Sequence, residues 1–168
     1  MGETITYASN GGSAEGYLAA PVGGAAGKPG VIVIQEWWGL VPHIENLAER
    51  FAQQGYGLAL WSATLSDDIV ATAGFYPPLP WERMSPQWDR YAGKAAVIHC
   101  SEGDGTGAAA GIQQAKTGIE HGGGAVTLYD YPGTEHAFFN DTRPEVYAPE
   151  AAQQAWRRTL DLFGDRLS

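Results

Sequence analysis

Residues 131–141 read Tyr-Pro-Gly-Thr-Glu-His-Ala-Phe-Phe-Asn-Asp and put His136 on a short loop directly after an apolar run, Ala125 to Tyr131. An imidazole is the side chain best suited to take and return a proton near neutral pH. A second loop, Ser101-Glu102-Gly103-Asp104-Gly105, follows the apolar run Ala95–Cys100. Asp104 precedes His136 by one helix and one strand, so both can reach the same sheet edge. A carboxylate there accepts a hydrogen bond from one imidazole nitrogen, fixes the tautomer and stabilises the cation. A third polar loop, Gln35-Glu36-Trp37-Trp38-Gly39, follows Val31-Ile32-Val33-Ile34. Reacting groups in open α/β sheets gather at the carboxyl ends of strands, so the three loops are candidates for one site.

A base with its orienter implies a nucleophile. Cys100 is the only thiol and ends an apolar strand, where a cysteine is ordinarily buried and inert. Ser62 and Ser66 lack the flanking glycines of a tight strand-to-helix turn. Each candidate also has a purely structural reading. His136 could be a surface histidine, and Asp104 between glycines a turn former. Glu36 could cap the helix that begins near Pro42, and Trp37 and Trp38 could simply pack. His43, His99 and His121 read as helix-start, strand and helix-end residues without a role.

The elements that must position these loops are legible from periodicity. Thr4–Ala8 and Glu15–Ala20 flank Asn10-Gly11-Gly12, a hairpin signal because Asn-Gly tolerates the positive φ of a tight turn. Val31–Ile34 is apolar on successive residues, as in a strand buried on both faces. Ile44, Leu47, Ala48 and Phe51 share one helical face, with Pro42 near the start and Gly55 past the end. Strands are expected at Tyr56–Trp61, Ile69–Tyr76, Lys94–Cys100 and Ala125–Tyr131. Helices are expected around Ala108, Ile112, Ala115 and Ile119, and around Ala152, Ala155, Trp156, Leu160 and Phe163. Pro77–Tyr91 is too irregular to assign. Strands alternating with helices predict a mainly parallel sheet covered on both faces. One place breaks the pattern: between Trp61 and Ile69 lie only Ser62–Asp68, whereas a parallel crossover needs about a dozen residues. Either Leu58–Ser66 is a helix, or a strand–helix unit is absent.

With 168 residues the chain is expected to form one domain over 1–168. Its net charge of −9 disfavours nucleic acid and anionic membranes as partners. No apolar run approaches the roughly 20 residues of a membrane span, and the N-terminus lacks the basic and apolar regions of a secretory signal. A single cysteine fits a reducing cytoplasm. The histidines and the cysteine show no metal-ligand spacing, so no metal is expected.

Taken together, Gln35-Glu36-Trp37-Trp38-Gly39, the acid loop at Asp104, Tyr131-Pro132-Gly133 leading into His136-Ala137-Phe138-Phe139-Asn140, and the tail from Arg143-Pro144 through Tyr147 to Ala155-Trp156 resemble the dienelactone hydrolase family. The resemblance covers nearly the whole chain in two blocks, residues 1–60 and 60–168. It implies an α/β fold: a reduced α/β-hydrolase-like three-layer sandwich, its mainly parallel sheet preceded by an N-terminal β-hairpin. It also implies hydrolysis of a small-molecule lactone or carboxylic ester without a cofactor. By position, His136 would be the base, Asp104 its orienter, Glu36 a carboxylate contacting the resting nucleophile, and the Trp37 N–H half of an oxyanion hole. The family carries its nucleophile on a Gly-x-Cys-x-Gly elbow, and no such pattern occurs in this sequence. Residues 56–60 resemble the strand before the elbow region, and residues 58–76 the helix and strand after it, as if joined where both read Leu-Ala-Leu. A segment with one strand, the elbow and the second oxyanion N–H is thus expected to be missing near 57–62. The alternative expectation is a non-catalytic remnant that binds small carbonyl compounds or protein partners.

Overall fold

The sequence Ala-Ala-Val-Ile-His-Cys-Ser is buried at every residue, and that is why it stands as the central strand of a sheet. The computed structural model describes residues 2–9, 12–19, 44–46, 60, 62–64, 66–77 and 85–167. The expected strand Val31–Ile34, the loop with Glu36 and Trp37, His43, and most of Tyr56–Trp61 lie outside the described residues. The chain divides into two compact units, Met1–Leu58 and Ala59–Ser168.

In the first unit, β1 (Glu3–Ser9) and β2 (Gly12–Leu18) pair antiparallel with Ser9 opposite Gly12, which is the expected hairpin. The second strand starts at Gly12, earlier than its apolar residues suggested. Residues 44–46 are helical, in keeping with the amphipathic pattern there.

In the second unit, β3 (Ala71–Phe75), β4 (Ala95–Ser101) and β5 (Ala125–Tyr131) form a parallel sheet in that order. The register pairs Phe75 with His99 and Ser101 with Tyr131, so all three strands end at one edge. Helix α1 (Gly105–His121) follows β4, and α2 (Pro149–Arg166) closes the chain. Strand alternation sends Ala96, Ile98 and Cys100 toward Ile112, Ala115 and Ile119 of α1. On the other face His99 reaches α2, its Nε2 2.9 Å from Thr159 Oγ1. The central strand is therefore covered on both sides. In α2 the buried stripe is Ala152, Ala155, Thr159 and Phe163. Thr159 takes the place expected for Leu160, because its hydroxyl satisfies the buried imidazole. No helix among the described residues is long and apolar enough to cross a membrane.

The awkward stretch before β3 is described at residues 60, 62–64 and 66–68. Leu60 stands in a turn and Ser62–Thr64 form a short 3-10 helix, so the strand expected through Trp61 is not present at Leu60. The unassigned stretch supplies what fixes it. Tyr91, buried at the end of the 3-10 turn Trp88–Tyr91, donates its hydroxyl proton to the Leu60 carbonyl at 2.6 Å. Lys94, one residue before β4, donates from Nζ to the carbonyls of Ala63 and Ser66, each at 2.7 Å.

Candidate active site

At the carboxyl end of β4 a 3-10 turn, Glu102–Asp104, leads into α1 and puts Asp104 at the N-cap of that helix. An aspartate at this position ordinarily caps the helix through its side chain, worth about 1 kcal/mol. Asp104 makes no such bond. Its Oδ2 instead accepts the Ser101 N–H at 3.0 Å, and its Oδ1 lies 2.6 Å from His136 Nδ1. The turn-former reading of Asp104 is therefore incomplete, since its carboxylate is committed across the loops.

His136 arrives on the loop after β5. Gly133 turns the chain with a φ of 72°, which a residue without Cβ adopts at no cost. The Thr134 hydroxyl donates to the Tyr131 carbonyl at 2.7 Å and closes the turn. Beyond the histidine, Phe138 and Phe139 are buried; Phe138 packs on Tyr131 with centroids 4.8 Å apart, and Phe139 on Phe75 at 4.6 Å. The aromatic pair anchors the loop so that His136 itself stays at the surface.

The acid and histidine loops are stitched together by contacts the sequence did not announce. Glu102 Oε2 accepts the Gly133 N–H at 2.7 Å, and the Gly103 N–H donates to the Thr134 carbonyl at 3.0 Å. A Cβ on Gly103 would lie 2.9 Å from both the Glu135 Cα and the His136 nitrogen. Only glycine permits this approach. The Gly-Asp pair was therefore the available signal, once read as a packing requirement rather than a turn preference.

An ionised carboxylate can only accept, so a neutral His136 donates from Nδ1 to Asp104, which leaves the acceptor lone pair on Nε2. The Asp104 side chain is 5% exposed, whereas that of His136 is 52% exposed. The buried member orients and the exposed member can exchange a proton. This is the geometry of a general base held in one tautomer.

The nucleophile candidates fare differently. Cys100 belongs to the core against α1, and burial, reinforced by the carboxylates of Asp130 and Asp104, pushes its thiol up to about 12. Such a thiol offers almost no thiolate at neutral pH. The Ser101 Oγ is buried and has no hydrogen-bond partner among the described residues, so no base activates it. Ser66 Oγ pairs with Asp68 on the surface. His99 is wholly structural: its Nδ1 is 2.8 Å from the Tyr131 hydroxyl, and burial, with Arg158 nearby, lowers its pKa to about 3. His121 ends α1 at the surface. Glu36 and Trp37 lie outside the described residues; the other two site residues read from the sequence, Asp104 and His136, are brought together.

Parallel strands covered by helices on both faces, with an acid and a histidine on successive strand-end loops, put this unit in the α/β class. Within it, the chain belongs to the dienelactone hydrolase family, whose sequence model matches residues 14–60 and 57–167. Among solved structures, it is similar to the "Crystal Structure of Putative Dienelactone Hydrolase from Klebsiella pneumoniae subsp. pneumoniae MGH 78578", with TM-score 0.81 at 18% identity over 98% of each chain. That likeness speaks for the fold. Among curated relatives, the chain is 44% identical over 59 residues to "Protein usf" of Aquifex pyrophilus, a match covering 33% of this chain. It is 27% identical over 230 aligned residues to the "Putative carboxymethylenebutenolidase" of Synechocystis sp., covering 90% of this chain and 92% of that one. The match spans only 24% of the length of "Protein usf" and 62% of that of the "Putative hydrolase fragment YghX" of Escherichia coli (strain K12), to which the chain is 38% identical over 79 residues. The Synechocystis alignment is longer than the 168 residues of this chain, so at least 62 of its 230 positions face a gap.

Proposed function

We propose that residues 1–168 are one α/β-hydrolase-like domain carrying the base half of a lactone or small carboxylic ester hydrolase, with His136 as general base and Asp104 as its orienter. The observation that carries this reading is the 2.6 Å contact between His136 Nδ1 and the buried Asp104 carboxylate at the strand ends. In the reaction, His136 Nε2 takes the proton of a nucleophile as that nucleophile attacks the ester carbonyl, and returns it to the leaving group. Asp104 holds the ring in register and stabilises the imidazolium between the two transfers. Glu36 would contact the resting nucleophile, and the Trp37 N–H would donate to the oxyanion. Membership of the dienelactone hydrolase family supports an ester or lactone substrate and no cofactor, and the single cysteine supports a cytoplasmic setting.

The nucleophile itself is missing from this reading. The sequence holds no Gly-x-Cys-x-Gly elbow, and the two matched family segments overlap at 57–60, next to the boundary between the compact units. These observations support a lost segment with one strand and the elbow near 57–62. They also favour a second reading, a non-catalytic remnant that binds small carbonyl compounds or protein partners. Steady-state hydrolysis of an activated phenyl ester separates the two. A chain without its nucleophile turns the ester over no faster than its His136→Ala variant. Turnover abolished by His136→Ala would instead mean that a working nucleophile is present, and loss in Cys100→Ala as well would identify it as the thiol.

A further inference from the structure

Tyr76 follows β3 at the same sheet edge as Asp104 and His136, and its backbone is unusual. Its φ of 35° lies in the left-handed region, which a bulky side chain rarely adopts. Contacts to neighbouring elements hold it there. The Tyr76 N–H donates to the His99 carbonyl at 2.7 Å, one step beyond the last β3–β4 pair. The side chain is buried, 6% exposed, with its ring edge-on to Phe138 at 5.7 Å between centroids. The same ring meets the His136 imidazole at 4.8 Å and 62°.

The geometry of His136 shows why this contact matters. A single hydrogen bond at Nδ1 fixes one atom of the imidazole but leaves the ring free to swing about that atom. A half-exposed side chain has little else to stop it. A wall set at a steep angle to the imidazole removes that remaining freedom and fixes the direction of Nε2. An outlying backbone conformation beside a reacting group persists only where the surroundings enforce it. Here it is the turn at Tyr76 that brings the phenol ring back over the histidine loop instead of onward with the chain.

We infer that Tyr76 is a positioning residue for His136: its ring, delivered by the left-handed turn after β3, locks the imidazole in the orientation that Asp104 selects. The inference rests on His136 and Asp104 forming the base pair of the site. Its test reads the imidazole tautomer and the ring–ring contact and needs no turnover, so absence of esterase activity would count against the functional reading alone.

The experiment is nitrogen NMR of histidine-labelled full-length chain in mildly alkaline buffer, where neutral imidazoles report their tautomers. In the parent protein the two His136 ring nitrogens are expected to be well separated, with Nδ1 protonated. In Tyr76→Leu they should move together toward the averaged value of a mobile imidazole. Tyr76→Phe, which keeps the ring, should preserve the separation. The His99 nitrogens, buried in the same aromatic cluster, should not move in either variant. An unchanged His136 pattern in folded Tyr76→Leu would overturn the proposal. Should Tyr76→Leu fail to fold, the parent protein still decides through cross-relaxation between the Tyr76 and His136 ring protons. Its presence, with an intact pattern in Tyr76→Phe, supports the assignment, and its absence refutes it.

Discussion

The edge of the sheet at His136 and the approach to β3 at residues 60–68 are built on different principles. At the edge, each part is a regular element of ordinary length, β4, α1 and β5, and the two loops are joined by short-range bonds such as Glu102 to Gly133. Before β3, the described backbone is a turn and one 3-10 turn, held by side chains reaching back from Tyr91 and Lys94. The first region carries its own organisation. The second borrows it from residues about 30 positions away in sequence, the separation of Tyr91 from Leu60 and of Lys94 from Ala63. Two loops joined to each other thus stand beside a stretch held by distant side chains, which is the pattern we propose for a segment lost from one side of a site and not the other.

The sharpest way to break that comparison is to refill the gap. An insert carrying the family's Gly-x-Cys-x-Gly elbow between a strand and a helix, spliced at 58/59, should raise activated-ester turnover by roughly a thousandfold or more over the chain as it stands. The gain should vanish with His136→Ala in the grafted protein. A folded graft without turnover would mean that the His136 edge is not a working half-site.

The next effect concerns the rigid side of the comparison. Burial, with Arg158 adding to it, lowers the His99 pKa from its ordinary 6.5 to about 3. The folded state therefore refuses a proton that the unfolded state takes up. The stability this represents is complete above about pH 6.5 and is lost progressively as pH falls toward about 3. At about pH 4.5 the loss should be on the order of 2–3 kcal/mol relative to neutral pH. Urea midpoints of the parent and His99→Gln across that range would show it, because the variant lacks this titration. Parallel pH curves for the two proteins would mean that the imidazole is not shielded as described.

These two regions also explain what the sequence disclosed and what it withheld. The parallel strands and the helices around them were visible because apolar residues recur at the period of each element, and His136 and Asp104 were visible because each follows such a run. The Thr159 contact was hidden. A threonine in a helical stripe looks like a substitution for an apolar residue until the buried His99 nitrogen it satisfies is known. Tyr91 and Lys94 were hidden for a similar reason, since they lie in or beside a stretch without periodicity and act through single polar atoms on distant carbonyls. Gly103 was read as a turn, whereas its demand comes from the His136 backbone 2.9 Å away. Periodicity reports burial; it does not report which loop another loop must touch.

A smaller effect tests the stretch before β3 itself. Lys94 is buried, and its ammonium donates to both Ala63 and Ser66 carbonyls. Lys94→Met keeps most of the side-chain volume and removes both bonds, leaving carbonyls short of a donor. We expect a loss of about 2 kcal/mol, seen as a lower urea midpoint with unchanged slope. A loss under about 0.5 kcal/mol would mean that the 60–68 stretch does not depend on the clamp.

The smallest effect separates the two members of the site. Asp104→Ala removes the acceptor of the Ser101 N–H as well as the partner of His136, and should cost about 1–2 kcal/mol. His136→Ala removes a half-exposed ring whose partner keeps its other bond, so its cost should stay within about 0.5 kcal/mol. The asymmetry follows from position, because the carboxylate is sealed under the loops while the imidazole faces outward. A residue retained for packing would show the opposite balance. Thermal or urea unfolding of the two variants side by side decides it. If His136→Ala destabilises the protein as much as Asp104→Ala, the pair is a brace between two loops, and the Nε2 lone pair is incidental to it.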